Sequence, residues 1–294
     1  MTSDFVAEIG DVDLSVPLSP DTVQQIKDTF AKYAVVIFPD QHLTPEQHLA
    51  VASYFGPVQT STGKHRSDER TRAGVSFADI SNINDDGSLW DADSRVRQDK
   101  LGNRLWHTDA SFKYIPGRCS LLYAREIPPI GGHTEFADMR AAYDALPETM
   151  RERLHGLVAE HSIYTSRARI GFDDFIGGKR DNMAFVPQVV VRTVDGGSRK
   201  SLYIASHAGR IFGMNPEAGS ALIDELIAHA TQAQFVYIHR WRTHDLVIWD
   251  NRCTMHRGTE FDDLRWRRDL MRVTVSDEIN SCERQGVPVP QPAA

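Results

Sequence analysis

The chain is predicted to fold as a mainly β protein with flanking α-helices, in which a sandwich or barrel of strands forms the core. Three observations support this prediction. Many short apolar segments have the length and composition of strands, helical periodicity is concentrated near the N-terminus and in insertions, and no repeat or linker divides the chain. A chain of 294 residues is long enough for one large domain, and we predict a single domain over residues 1–294.

Residues 1–59 are predicted to support this core from outside. The apolar pieces at 5–16 can form short strands, and a helix with regular apolar spacing follows from Pro20. The continuous apolar run at 34–38 predicts a strand that is buried on both faces. A second helix is predicted over 44–55, since a threonine cap and a proline begin its first turn.

The remainder of the chain is rich in strand segments that are bounded by turn residues. Helical periodicity returns at 138–154, with an interruption near Pro147, and at 216–231. The predicted strands lie near 78–81, 118–127, 133–137, 157–164, 189–193, 201–205, 235–241, 246–249, 254–256 and 268–275.

Two long stretches, 60–102 and 166–187, are polar or rich in glycine and lack strong periodicity, apart from the strand near 78–81. Irregular stretches of this length are often functional, and we predict that both are lid segments. The tail 286–294 is rich in proline and is predicted to be disordered. The lids carry aromatic side chains that would either cover an apolar ring or pin the lids to the core: Phe77, Trp90, Phe172, Phe175 and Phe185.

Composition and charge exclude several classes of protein. The formal charge of -7, from 33 Lys and Arg against 40 Asp and Glu, argues against a general nucleic-acid binder. No apolar run approaches the ~20 residues that a membrane span needs, and residues 1–10 lack the pattern of a signal peptide. The three scattered cysteines predict reduced thiols rather than disulfides. We therefore expect a cytoplasmic protein with no nucleic acid and no membrane among its partners.

The pattern His-x-Asp at His107 and Asp109, together with the distant His256, predicts a metal site. Alternate residues of a β-strand point to one face, so the first two side chains can converge on an ion from a single predicted strand. Two imidazoles and one carboxylate leave open coordination positions, the arrangement found in non-haem Fe(II) oxygenases. A second His-x-carboxylate pair, His133 and Glu135, competes with the first on spacing alone.

Arginines that follow the last of these histidines predict a binding site for anions. Arg268 and Arg272 lie four residues apart on a predicted strand, so their side chains share one face. A guanidinium group presents a planar fork that matches a carboxylate. The alternative is a solvated face on which these arginines pair with nearby aspartates, which are Asp262, Asp263 and Asp269.

Four stretches carry further motifs: Asp79–Asn82, Leu105–Phe112, Gly131–Tyr143 and Asp245–Arg252. In these stretches the chain resembles the Fe(II)- and 2-oxoglutarate-dependent dioxygenases of the taurine dioxygenase group, and within that group the 2,4-dichlorophenoxyacetate dioxygenase branch. The resemblance covers nearly the whole chain and is more specific for reaction class than for substrate. It implies a double-stranded β-helix (jelly-roll) core with helical support and lid insertions, which agrees with the strand pattern.

The resemblance also implies roles for individual residues. It assigns Fe(II) to His107, Asp109 and His256. It assigns the distal carboxylate of 2-oxoglutarate to Thr134 and Arg268. This second assignment also makes physical sense, because a hydroxyl group adds one more donor to the planar fork of the guanidinium.

For the organic substrate, the resemblance points to Arg272, Asn103 and Lys64, of which Lys64 lies in the first predicted lid. The family has an aspartate where this chain has His133, and this disfavours the competing His-x-carboxylate pair. We therefore expect a small anionic organic molecule as the partner of the site. We also expect the chain to form a homo-oligomer.

The implied activity is hydroxylation of that molecule by O2, coupled to oxidative decarboxylation of 2-oxoglutarate to succinate and CO2. We expect an aryloxyacetate such as 2,4-dichlorophenoxyacetate, which would yield a phenol and glyoxylate. Taurine, another alkylsulfonate or a different carboxylic acid is the alternative within this class. A zinc hydrolase is a rival from another class, because two histidines and a carboxylate also bind zinc, but the chain contains no His-Glu-x-x-His motif.

Overall fold

The computed structural model describes four parts of the chain, which are residues 4–60, 76–172, 185–194 and 199–290. Lys64 and Phe175 lie outside the described residues. Strands dominate the architecture and helices flank them, so the prediction of a mainly β protein with flanking helices is confirmed.

The strands are short, as predicted, and most of their residues are buried. In chain order they are β1 (Val6–Glu8), β2 (Val35–Phe38), β3 (Ala78–Ser81), β4 (Gly117–Glu126), β5 (Thr134–Asp138), β6 (Val158–His161), β7 (Val186–Val189), β8 (Val191–Thr193), β9 (Lys200–Leu202), β10 (Ala208–Ile211), β11 (Val236–His239), β12 (Leu246–Asp250), β13 (Thr254–Gly258) and β14 (Asp269–Ser276).

The helices begin where the sequence provides caps. The Ser19 hydroxyl accepts a hydrogen bond from the Thr22 backbone N–H, and Thr44 and Gln47 form a reciprocal capping box. Within the described residues, no helix is long and apolar enough to cross a membrane. The helices are α1 (Pro20–Tyr33), α2 (Pro45–Ser53), α3 (Arg95–Lys100), α4 (Met139–Asp144), α5 (Glu148–Leu154), α6 (Ile163–Ala168), α7 (Pro216–Ala230) and α8 (Ser281–Gln285).

The largest sheet has six strands in the order β1-β2-β12-β4-β14-β3. Its strands pair antiparallel, except that β1 and β2 are parallel. A second sheet, in the order β11-β5-β13, is antiparallel throughout, and a backbone bridge joins its residue His256 to His107. Two smaller sheets, β10-β6-β7 and β8-β9, complete the described strands.

The two larger sheets pack against each other through one apolar core. Val35, Leu122 and Trp249 of the six-stranded sheet meet Phe136 of β5, and all four are buried. The opposite face of the six-stranded sheet is covered by α1 and α2. Each large apolar side chain buried in this way stabilises the fold by about 1.5–3 kcal/mol. The packing therefore fixes the positions of β13 and β14. Of the predicted site residues, β13 carries His256 and β14 carries Arg272, and Arg268 immediately precedes β14.

The structure differs from the predictions mainly in short helices. The predicted lid 60–102 contains α3, and the predicted lid 166–187 begins inside α6, where the predicted strand 157–164 also gives way to helix. These helices have six residues each, which is too short for an amphipathic period to be recognised.

The predicted disordered tail also differs in its first part. Val287 and Val289 pack against a small apolar cluster that includes Cys282 of α8. Burial of these valines explains why the proline-rich composition does not leave the described part of the tail free. Residues 291–294 lie outside the described residues.

Candidate metal centre and its two cavities

The side chains of His107, Asp109 and His256 meet at one buried point. Their ligand atoms all lie within 4.8 Å of one another. The Nε2 atom of His107 lies 3.9 Å from Oδ1 of Asp109, and the Nε2 atom of His256 lies 3.7 Å from Oδ2. Two neutral imidazoles and one carboxylate at these separations can hold a divalent metal ion and leave coordination positions open.

The local structure that brings these three side chains together is not the predicted single strand. His107 and His256 exchange backbone hydrogen bonds of 3.0 and 2.7 Å, so they form a bonded pair of an antiparallel ladder with their side chains adjacent. Asp109 lies in the turn that follows, in which Ala110 has a left-handed φ of 57°. His107 is an isolated bridge residue and Asp109 lies in a turn, so the prediction of one strand through both residues was wrong.

Hydrogen bonds around the three side chains fix their orientation. The Nδ1 atom of His107 lies 2.7 Å from the Leu105 carbonyl oxygen, which can only accept, so the proton is on Nδ1 and the lone pair is on Nε2. The Ser120 hydroxyl donates to Oδ2 of Asp109 at 2.7 Å, and Asn251 donates to Ser120 at 3.0 Å. This arrangement prepares the donor atoms before any ion arrives.

Electrostatics favour the forms of these residues that bind metals. Burial lowers the pKa of His107 below its usual value, and burial and the nearby His107 hold the pKa of His256 well below its own. Burial pushes the pKa of Asp109 upward, but Arg272 and the two histidines outweigh it, so the net shift is downward. The histidines are therefore neutral and the carboxylate is ionised at neutral pH.

The competing pair, His133 and Glu135, does not assemble a site. The Glu135 carboxylate accepts a 2.5 Å hydrogen bond from Nε of Arg257, and His133 is partly exposed. Among residues 4–60, 76–172, 185–194 and 199–290, the triad is the one group of three His, Cys, Asp or Glu side chains that clusters in this way. The geometry therefore favours the first His-x-carboxylate pair.

A cavity of about 800 Å³ opens on one side of the triad, and we call it the first cavity. Arg268 lines it, and the hydrogen-bond partners of its guanidinium are neutral: the carbonyl oxygens of Gly132 at 3.0 Å and Ile80 at 3.4 Å. Burial lowers the pKa of Arg268 to about 10. A buried cation whose described partners carry no charge is suited to an anionic ligand.

The alternative of a solvated arginine face is not what the structure shows for Arg268. Asp269 pairs with Arg125 at 2.7 Å, and Asp263 pairs with Arg97 at 3.0 Å. Two of the three nearby aspartates are thus engaged elsewhere, and Arg268 is buried rather than solvated.

Thr134 also lines the first cavity, and its hydroxyl group is oriented by a neighbour. The indole Nε1–H of Trp241 donates to the Thr134 oxygen at 3.0 Å, which leaves the hydroxyl proton free to donate to a ligand. The preceding Gly131 and Gly132 have φ values of 75° and 67°. A Cβ at Gly132 would lie 2.7 Å from a side-chain atom of Pro128, so the close turn that presents Thr134 requires glycine.

A second cavity of about 670 Å³ lies on the other side of His107 and Asp109. Arg272 and Asn103 line both cavities, so they mark the place where the two spaces meet. The Arg272 Nη1 atom bonds Oδ1 of Asp109, whereas its Nε atom is buried without a partner among the described residues. A guanidinium has five N–H donors, and the described contact with Asp109 uses one of them, so Arg272 keeps further donors beside the metal centre.

Three residues of the second cavity were missed by the sequence analysis: Lys113, Arg167 and His207. The ring of His207 lies 6.1 Å from that of His107, and Arg167 pairs with Asp99 at 2.7 Å. Arg167 and His207 have no ligand-like spacing in the sequence, and only the packing of α6 and of the loop before β10 brings them to the site. The position of Lys113, four residues after Asp109, was the one local signal available.

The predicted lid aromatics divide between the two roles considered. Trp90 lines the first cavity, whereas Phe77 is buried in the core beneath α1 and α2. Phe172 packs under the guanidinium of Arg95, at 5.7 Å, and Phe185 is exposed. Covering the site is therefore a role for Trp90, and anchoring is the role of Phe77.

Comparisons with known proteins identify the family of this chain. The Taurine catabolism dioxygenase TauD, TfdA family matches residues 1–274. The alpha-ketoglutarate-dependent 2,4-dichlorophenoxyacetate dioxygenase of Cupriavidus pinatubonensis is 41% identical over 274 residues, which is 93% of this chain and 95% of that protein. The (S)-phenoxypropionate/alpha-ketoglutarate-dioxygenase of Sphingobium herbicidovorans is 36% identical over 81% of this chain and 80% of that protein.

A solved structure is similar along almost its whole length. The crystal structure of AAD-2 in complex with Mn(II) and N-oxalylglycine superposes with a TM-score of 0.86. It is 42% identical and covers 96% of each chain. The family match spans residues 1–274, which include every residue named as lining the two cavities.

Proposed function

The chain belongs to the taurine catabolism dioxygenase TauD, TfdA family and is an Fe(II)- and 2-oxoglutarate-dependent dioxygenase; from this premise we propose that its organic substrate is an aryloxyacetate such as 2,4-dichlorophenoxyacetate. Two cavities that meet at one metal-binding triad, with Arg268 in the first and Arg272 in both, carry this proposal. The 2,4-dichlorophenoxyacetate and phenoxypropionate dioxygenases among its relatives support it.

We propose His107, Asp109 and His256 as the iron ligands. The donor set fits Fe(II), because all three groups are buried, converge within 4.8 Å, and leave positions for a cosubstrate and O2. Bound Fe(II) supplies the activation of O2 that hydroxylation requires. Ser120 holds the Asp109 carboxylate from behind, and this keeps one oxygen turned toward the two imidazoles.

In the first cavity, Arg268 and Thr134 bind the distal carboxylate of 2-oxoglutarate in this proposal. The guanidinium has no described carboxylate partner, and the Thr134 hydroxyl can donate because Trp241 already donates to its oxygen. A dicarboxylate held at its far end would present its keto acid end to the triad. These contacts thus orient the cosubstrate and exclude water from its buried end.

In the second cavity, Arg272 and Asn103 bind the acid end of the organic substrate, and Phe112 and Ile163 provide apolar surface for a ring. Lys64, outside the described residues, stays a proposed third contact. A ring anchored by its carboxylate places the carbon between ether oxygen and carboxylate nearest the iron. Hydroxylation there gives a hemiacetal that separates into a phenol and glyoxylate, while 2-oxoglutarate gives succinate and CO2.

This substrate assignment predicts a clear order of kcat/KM at fixed 2-oxoglutarate. 2,4-Dichlorophenoxyacetate and phenoxyacetate should exceed taurine by at least about tenfold, because burying one aromatic ring contributes about 1.5–3 kcal/mol. Phenol release and succinate formation are measured in the same samples. Preference for taurine, or succinate without any phenol, would overturn the substrate and leave the reaction class standing.

We propose three further features of this chain: its core fold, its domain organisation and its oligomeric state. The six-stranded sheet and the β11-β5-β13 sheet, packed face to face, are consistent with a double-stranded β-helix core. We also propose that residues 1–294 act as one domain and that the chain forms a homo-oligomer in the cytoplasm. Light scattering of the purified protein tests the last of these directly.

A further inference from the structure

The second cavity contains an ammonium group that the proposed function does not yet use. Lys113 lines this cavity together with Arg272, and its Nζ atom bonds Oε1 of Gln59 at 3.1 Å and the carbonyl oxygen of Thr60 at 3.0 Å. Both partners are neutral. An ammonium group has three donors, so one N–H of Lys113 remains available.

The backbone of Lys113 is held in place, which distinguishes it from a mobile surface lysine. Its N–H donates to the Ala110 carbonyl at 3.0 Å, and its carbonyl accepts from Nε2 of Gln188 at 3.0 Å. Gln188 is fully buried and also binds the carbonyl oxygen of Ser111 at 3.1 Å. The turn that contains Asp109 therefore also fixes the backbone of Lys113.

The charge balance of this cavity is unfavourable without a ligand. Among the residues the structure describes, Lys113 has no carboxylate partner, and the neighbouring charge that disfavours its ionised form is Arg272. Burial and then this arginine lower the pKa of Lys113, and the Asp109 carboxylate opposes them only in part. The carboxylate that partners Arg272 is Asp109, which would share its charge with a bound metal ion. An anion placed between the two cations would relieve their repulsion.

We propose that Lys113 is a specificity-determining residue that binds the carboxylate of the organic substrate jointly with Arg272. The donors match the ligand: one N–H remains on Lys113, the Arg272 guanidinium has donors beyond the one that bonds Asp109, and a carboxylate has two oxygen atoms. This inference rests on the proposed function, because it adds a contact within the proposed substrate cavity.

The test compares an acid with its neutral amide in a complex that cannot turn over. Protein loaded with Mn(II) and N-oxalylglycine is titrated calorimetrically with 2,4-dichlorophenoxyacetate and with the corresponding acetamide. In the wild type the acid should bind more tightly than the amide. In Lys113→Gln the affinity for the acid should fall about 10- to 100-fold, while the affinity for the amide stays within about threefold.

Matched variants keep the outcome interpretable. Lys200→Gln removes the same charge from an exposed lysine that lines neither cavity and should leave both affinities unchanged. Lys113→Met keeps the apolar stem and should repeat the effect of Lys113→Gln, whereas Lys113→Arg should recover most of the preference for the acid. Unchanged binding of N-oxalylglycine shows that each variant is folded around its metal.

The two proposals fail in different ways. If the wild type binds neither the acid nor the amide, the proposed aryloxyacetate substrate is wrong. If the wild type prefers the acid and both neutral variants keep that preference, Lys113 does not bind the carboxylate and the inference is overturned. A loss of affinity for acid and amide alike would also overturn it, since that result indicates a packing role rather than a charge role.

Discussion

Replacement of His107 by alanine is expected to abolish turnover and to weaken Fe(II) binding by more than about 100-fold. Even groups that merely orient a metal ligand contribute about 10- to 100-fold to metal affinity, so removal of the ligand itself should cost more. The variant also loses the ring that packs 4.2 Å from His256. Anaerobic titration with Fe(II), followed through the absorption band of the Fe(II)-2-oxoglutarate complex, measures the effect.

His133→Ala is the matched control, because His133 begins the second His-x-carboxylate pair of the chain. It is partly exposed and lies outside the cluster of three ligands, so its removal should leave Fe(II) affinity within about threefold of the wild type. If His133→Ala weakened Fe(II) binding more than His107→Ala, the metal would bind at His133 and Glu135 rather than at His107 and Asp109. A similar loss in both would point to a general loss of folding, which circular dichroism would reveal.

Arg268→Ala should have the second large effect, on 2-oxoglutarate rather than on the metal. Truncation of one partner of a buried, charge-assisted pair costs about 2–5 kcal/mol, which is roughly a 30- to 4,000-fold rise in Kd. The buried position of Arg268 and its neutral described partners favour the upper part of this range. Calorimetric titration of the Mn(II)-loaded protein with N-oxalylglycine measures binding without turnover.

The neighbouring Arg267 supplies the control. Its side chain is 40% exposed and pairs with Glu126, whose side chain is 47% exposed. Surface pairs of this kind contribute about 0–1 kcal/mol, and Arg267 lines neither cavity. Arg267→Ala should therefore bind N-oxalylglycine like the wild type. Equal losses in the two variants would mean that general positive charge, rather than a contact from Arg268, attracts the cosubstrate.

The strands were predictable from the sequence because a strand that is buried on one or both faces needs apolar residues at the buried positions. The run 34–38 became β2, which is buried throughout, and the pattern that follows Arg268 became β14. The helices α1 and α2 were predictable for a local reason, since Ser19 and Thr44 cap them as their residue types suggest. The short helices α3 and α6 carry no comparable period, and tertiary contacts select them.

The ligand residues were predictable, but the geometry that unites them was not. Spacing suggested a strand through His107 and Asp109, whereas Asp109 lies in a turn in which the next residue, Ala110, has a positive φ. A non-glycine residue adopts that conformation uncommonly, so nothing in the sequence announces it. The same turn directs Lys113 into the second cavity, where Arg272 arrives from β14. The geometry of a site built from distant segments depends on the fold and cannot be predicted from local sequence patterns.

The central claim is that this chain couples 2-oxoglutarate turnover to cleavage of an aryloxyacetate at an Fe(II) centre. The most direct test is to measure succinate and 2,4-dichlorophenol in a single reaction of the purified protein with 2,4-dichlorophenoxyacetate, 2-oxoglutarate and O2. Our account predicts equal amounts of the two products with Fe(II) and neither product with Zn(II). Phenol release with Zn(II) in the absence of 2-oxoglutarate would contradict it.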